Sequence, residues 1–114
     1  MIIEIQWPES VPRTEFSQWF VQLMANRMAF SFFKYGRMSD AYPKKVDALS
    51  SMDDRIRLYR ETGNTEHLID AANFLLIEFT HPSIPGARFR AIETHESPGR
   101  IISGERSSDL NVDK

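Results

Sequence analysis

The segment between Pro12 and Gly36 holds five of the chain's eight phenylalanines, together with Trp19 and Tyr35, and has neither proline nor glycine inside it. This predicts one long helix that starts near Thr14, after Pro12, and stops at Gly36, a residue suited to a left-handed helix end. Phe16, Phe20, Leu23 and Phe30 fall on one face at helical spacing, with Trp19 to one side. Phe32, Phe33 and Tyr35 carry the apolar cover further around the rod. A helix that is apolar on more than one side must be covered from more than one direction. The rest of the chain, or a second copy of it, has to supply those surfaces.

Two further helices are legible downstream. After a loop from Arg37 to Lys45 that contains Ser39-Asp40 and Tyr42-Pro43, the residues Leu49, Met52, Ile56 and Tyr59 repeat at alternating three and four, and Gly63 ends the run. Asn64 or Thr65 is placed to cap a third helix, with Glu66 in its first turn where a negative charge suits the helix dipole. His81-Pro82 closes it, and Leu68, Ala72, Leu75, Leu76 and Phe79 form its expected core face. Ile2, Ile3 and Ile5 suggest a short extended segment that must pair, either with 87–94 or with the same segment of another subunit. From Ser103 the composition turns polar. The expected organisation is thus a single α-helical domain over 1–102, with short extended segments at its ends and a flexible tail over 103–114.

The expected fold class is mainly α: a three-helix core that completes an oligomeric, dimeric bundle, because three such helices on a 114-residue chain leave apolar surface uncovered. Composition excludes several function classes. A net charge of −2 lacks the basic excess that coats DNA or RNA. The absence of cysteine removes disulfide scaffolds, cysteine-rich zinc sites and thiol nucleophiles, leaving His67, His81 and His95 as soft metal ligands. The start Met-Ile-Ile-Glu-Ile-Gln lacks the pattern of a secretory signal and no stretch reaches the ~20 apolar residues of a membrane span, so no membrane partner and a cytoplasmic location are expected. No glycine-rich phosphate loop, Gly-x-Ser-x-Gly elbow or His-Glu-x-x-His pair occurs.

Arg27 is the residue that most invites a function. On a helical wheel it lies between Phe20, Leu23 and Phe30, within the face expected to be buried, and a buried guanidinium requires an acidic or a phosphate partner. An internal salt bridge and an anion-binding role both satisfy that requirement. Lys34 follows two turns on, and Tyr35 and Arg37 beside it offer a ring for stacking and a further cation. On the third helix Glu66, Asp70, Asn73 and Ile77 share a stripe opposite Leu68, Leu75 and Phe79. That stripe is either a solvated polar face, a pair of oxygen ligands for a divalent metal, or a set of groups that read a base or ribose. The second helix carries Asp53, Asp54, Arg55, Arg57, Arg60 and Glu61, read as a solvated run of ion pairs, with Arg60 bordering the apolar stripe and able to enter a groove. His67 is read as structural. Arg88 and Arg90 either clamp phosphate or decorate an edge, and rank below Arg27.

The block Tyr59-Arg-Glu-Thr-Gly-Asn-Thr-Glu-His-Leu-Ile-Asp-Ala-Ala-Asn73, continuing through Glu78-Phe-Thr-His-Pro82 to Glu96-Ser-Pro-Gly99, resembles small proteins encoded by bacteriophages and by bacteria, many of them actinobacteria. The resemblance spans about Lys34 to Gly99 and implies a phage or prophage product in a bacterial host. A second resemblance is to the all-α nucleoside triphosphate pyrophosphohydrolases of the MazG and dimeric dUTPase kind, which bind nucleotides between helices of a dimeric bundle. It maps their Glu-x-x-Asp motif approximately onto Glu66 and Asp70, where the spacing is four rather than three. Their Glu-Glu-x-x-Glu metal motif has no match, since Asp53-Asp54 is followed by Arg57 and Glu61 stands alone.

The expected function is a non-enzymatic binder of a phosphate-bearing nucleotide, a sponge that sequesters a host antiviral signal such as a cyclic oligonucleotide or an ADP-ribose derivative. Arg27, Lys34 and Arg37 would meet phosphate, Tyr35 would stack, and Asp70 and Asn73 would read base or ribose with Glu66 in support. No cofactor is implied by that reading. The first alternative is a MazG-like hydrolase in which Glu66 and Asp70, aided by Glu61 or Asp54, hold Mg²⁺. The second is a protein-interaction module that uses the aromatic surface of Phe16, Phe20 and Phe30.

Overall fold

The computed structural model describes residues 5–91, 100 and 102, and over those residues the chain is mainly helical with no strand. A 3-10 turn at Arg13–Glu15 leads to α1 (Gln18–Tyr35), a short α2 (Met38–Ala41), α3 (Ala48–Thr62) and α4 (Glu66–Thr80). Helix α1 begins later than Thr14, because Phe16 is extended and its ring rests 5.1 Å from that of Trp7. The Ser17 hydroxyl then accepts the Phe20 N–H at 3.0 Å and becomes the cap. Gly36 ends α1 as expected, at φ 89°. The loop expected over Arg37 to Lys45 contains the single turn of α2, an addition to the three helices anticipated.

Helix α3 is capped by Asp47, whose carboxylate accepts the Ser50 N–H at 3.1 Å and the Ser50 hydroxyl at 2.8 Å. The backbone bond from Ser50, followed by the side-chain bond, holds this carboxyl below the usual aspartate range. Gly63 ends the helix in the left-handed region at φ 72°, its N–H donating to the Tyr59 carbonyl at 2.8 Å. At the start of α4, Asn64 rather than Thr65 supplies the side-chain acceptor, receiving the Glu66 N–H at 3.0 Å. The short turn folds α3 and α4 into an antiparallel helical hairpin, and α1 packs against α4.

Among the described residues the buried ones are Ala48, Ile69, Ala71, Ile77 and the polar Asn73. Leu49, Met52, Ile56 and Tyr59 of α3 face inward as their spacing predicts, each half-buried. Two expected faces are turned. On α4 the inner stripe is Ile69, Asn73 and Ile77, whereas Leu75, Leu76 and Phe79 are exposed and Leu68 and Ala72 half-buried. On this side α4 meets α1 over Asp70 and Asn73, where α1 offers Arg27 and the Met24 carbonyl, so the carboxylate and the amide both gain partners. On α1 the half-buried stripe is Val21, Met24, Met28 and Ser31, with Phe20 and Leu23 at its margin, and Trp19 and Phe30 point away.

The anticipated extended segments do not form strands where they are described: Ile5 and 87–91 are irregular, and Ile2, Ile3 and 92–94 lie outside the described residues. The polar tail at 103–114 lies outside them as well.

Candidate functional site: a cationic cleft

The C-terminal half of α1, the turn of α2 and the loop after it, and the facing sides of α3 and α4 enclose a cleft of about 770 Å³. Five cations line it, Arg27, Lys34, Arg37, Lys45 and Arg55, against one lining carboxylate, Asp70. Phe30, Phe32, Tyr35, Tyr42 and Phe74 supply aromatic surface among those charges. In a chain of net charge −2 this cleft thus carries a local positive surplus.

Arg27 and Arg55 form the floor. Arg27 Nη1 donates to Glu66 Oε2 at 2.8 Å, and its Nη2 reaches Asp70 Oδ1 and Oδ2 at 3.1 and 3.3 Å. Arg55 Nε lies 3.6 Å from Asp70 Oδ2, too long for a hydrogen bond, while its guanidinium carbon sits 5.6 Å over the Phe74 ring. Asp70, with its side chain 18% exposed, is thus held between two guanidinium groups. Arg27 is half-exposed rather than buried, and of its two possible kinds of partner it has the acidic one.

Asn73 continues the wall. It is buried, and its Nδ2 donates to the Met24 carbonyl at 3.1 Å, which ties α4 to α1. Its Oδ1 is shut off from solvent, with no hydrogen-bond donor among the described residues. Opposite, burial pushes the Tyr42 hydroxyl above the ordinary tyrosine value; Arg55 offsets part of that rise and Tyr35 adds slightly to it. The phenol stays protonated at neutral pH and able to donate. Lys34, Arg37 and Lys45 make no ion pair among the described residues, and Lys34 Nζ lies 5.2 Å over the Tyr35 ring.

Of the residues singled out in the sequence, Arg27, Lys34, Tyr35, Arg37, Asp70 and Asn73 line the cleft together. Glu66 stands beyond the lining and enters through its bond to Arg27. Arg60 is exposed and absent from the lining, while Arg55, read as part of a solvated run, takes the inner position. Both arginines border the stripe Leu49, Met52, Ile56 and Tyr59, on opposite sides, so the helical wheel marks both and separates neither. Lys45, Tyr42 and Phe74 were also unmarked; the two loop residues join the cleft only because the chain after α2 folds back.

The carboxylates that the pyrophosphohydrolase resemblance assigns to Mg²⁺, Glu66 and Asp70, both face the Arg27 guanidinium. Asp53, Asp54 and Glu61 lie exposed on α3, Asp54 within 3.5 Å of Arg57. No cluster of three or more His, Asp or Glu that could hold a metal occurs among the described residues. Arg88 and Arg90 are exposed and outside the lining, and His67 is half-buried with its Nδ1 lacking a hydrogen bond among the described residues.

The fold and this cleft define a small, mainly helical protein with a cation-rich, aromatic-lined groove, and no helix among its described residues is long and apolar enough to cross a membrane. No protein-family model, curated protein or solved structure matches the chain.

Proposed function

We propose that the chain binds a phosphate-bearing nucleotide in this cleft and holds it without turnover. The observation that carries the reading is the concentration of five cations and five aromatic rings around one groove in an acidic chain. Arg27 and Arg55 are partly neutralised by Glu66 and Asp70, so they serve as a fixed positive floor. Lys34, Arg37 and Lys45, which lack such partners, are the groups to meet phosphate oxygens. The Tyr42 hydroxyl suits the polar edge of a base or ribose, and Tyr35 suits its face. The resemblance of the Tyr59 to Asn73 block to phage-encoded proteins suggests the role: a sponge that withdraws a host antiviral nucleotide signal.

We propose further that the working form is a homo-oligomer. The support is the set of large apolar residues left exposed by one chain, notably Trp19, Phe30, Phe33 and Phe79.

The test is calorimetric titration with ATP, ADP-ribose and cyclic dinucleotides at low and high salt, followed by mass spectrometry of what the protein releases on denaturation. Binding tighter than about 10 µM by one of these, weakened about tenfold by Lys34→Ala or Arg37→Ala and recovered intact, supports the proposal. If none binds more tightly than inorganic phosphate, the nucleotide reading is wrong. Mg²⁺-dependent appearance of a monophosphate and pyrophosphate would instead establish the hydrolase.

A further inference from the structure

The face of α1 turned away from α4 has an order of its own. Trp19 and Phe33 lie seven residues to either side of Asn26, and Leu23 and Phe30 lie three and four residues from it. On a helix these positions form one stripe centred on Asn26, opposite the half-buried Val21, Met24, Met28 and Ser31. Trp19 is 74%, Phe30 65% and Phe33 84% exposed, although they belong to the residue types that carry most interface energy. The stripe bears no charged side chain, and the flanking Arg27 is held aside by Glu66 and Asp70.

We infer that this stripe is the self-association surface, and that two copies pair α1 against α1 in antiparallel fashion about a two-fold axis passing beside Asn26. The inference rests on the proposal that the chain is a homo-oligomer and is independent of the ligand. The occupant is a second copy because the pattern is its own complement. Reversed and laid on itself about Asn26, the stripe sets Trp19 against the partner's Phe33, Leu23 near the partner's Phe30, and Asn26 against the partner's Asn26. An isologous contact requires this relation, in which residue i meets j and j meets i, and the stripe satisfies it.

Area points the same way. With ~150–250 Å² per aromatic residue, Trp19, Phe30 and Phe33 at 74%, 65% and 84% exposure together present about 330–560 Å² per copy, roughly half of the ~800 Å² per partner of a stable interface. Gln22, Leu23, Asn26 and Ala29 lie between them and extend the same patch. At the centre, the Asn26 carboxamide now accepts from Gln22 Nε2 at 2.9 Å. Paired with its own copy it can donate and accept across the axis, and a single amide in an apolar seam fixes register. Phe30 belongs to both the stripe and the cleft lining, so pairing would also shield one wall of the cleft from water.

The chain contains no cysteine, so single cysteines report on geometry without background. A residue beside a two-fold axis cross-links to its own copy, because only there do the Cα atoms come within the ~7 Å that a disulfide spans. Under mild oxidation at micromolar concentration, Asn26→Cys is expected to become mostly covalent dimer with unchanged helix content by circular dichroism. Trp19→Cys alone is expected to stay uncross-linked, while a mixture of Trp19→Cys and Phe33→Cys chains gives the mixed disulfide. Self-linking of Trp19→Cys as efficient as that of Asn26→Cys overturns the antiparallel arrangement. A dimer by sedimentation of the unaltered chain in which Leu76→Cys links and Asn26→Cys does not moves the interface to α4 and overturns this inference alone. A monomer by sedimentation overturns both this interface and the homo-oligomer.

Discussion

Replacing Arg27 with alanine separates two accounts of what that side chain does for the fold. Arg27 donates to two carboxylates that differ in exposure: the Glu66 side chain is 55% exposed and that of Asp70 18%. An ion pair as open as Arg27 with Glu66 contributes about 0.5 kcal/mol at most, since water and salt screen it and two long side chains must be ordered to make it. Asp70 is largely desolvated, and without Arg27 it keeps only Arg55 at 3.6 Å, beyond hydrogen-bond length. Leaving a charged acceptor short of a partner in such a place costs about 1–3 kcal/mol. Arg27→Ala is therefore expected to destabilise the fold by about 2 kcal/mol, most of it through Asp70. The assay is urea unfolding at one fixed protein concentration, run as two double-mutant cycles, Arg27→Ala with Asp70→Asn and Arg27→Ala with Glu66→Gln. The first cycle is expected to give a coupling of about 1.5 kcal/mol and the second about 0.3 kcal/mol or less. A coupling to Glu66 that equals or exceeds the coupling to Asp70 would refute the argument from burial, as would an Arg27→Ala chain as stable as its parent. If the same substitution also weakens nucleotide binding, Arg27 acts in both floor and ligand, and Arg27→Lys, which keeps the charge but loses the fork, is expected to recover only part of either effect.

Three other perturbations test the structure. Asn73→Ala removes the bond from Nδ2 to the Met24 carbonyl and leaves a small gap between α1 and α4; a loss of about 1–2 kcal/mol in urea unfolding is expected, and a neutral result would mean that this contact does not tie the helices. Gly63→Ala forces a side chain into φ 72° with no atom within 4 Å of the new Cβ, so the cost is conformational alone, about 1 kcal/mol, with Gly63→Asn less affected; equal stability of all three chains by thermal melting would contradict the left-handed cap. Asp47 is held below its ordinary pKa by its bonds from Ser50, so the stabilisation it provides is present above the unfolded-state value of ~3.9 and is lost as pH falls through the lower folded value. Asp47→Asn is expected to flatten the acid limb of the stability curve below about pH 4; an unaltered acid limb would show that the cap carries no charge-dependent contribution.

What sequence alone determined about this protein is local. Gly36 and Gly63 end their helices because only glycine enters those positive-φ conformations without cost, and the break at His81-Pro82 follows from a missing N–H; none of these depends on what lies across the molecule. The inward stripe of α3 was equally legible, since it is the single apolar face on a charged helix. Helices α1 and α4 lack that property. Apolar residues run around most of each, so periodicity fits several faces, and packing against the neighbouring helices selects among them. The cleft follows the same division: Arg27, Lys34, Tyr35, Arg37, Asp70 and Asn73 could be marked by type and spacing along their own segments. Arg55 over Arg60, and the arrival of Tyr42 and Lys45, were decided by tertiary structure, because a side chain's direction on a helix is known from sequence only up to the rotation that packing imposes.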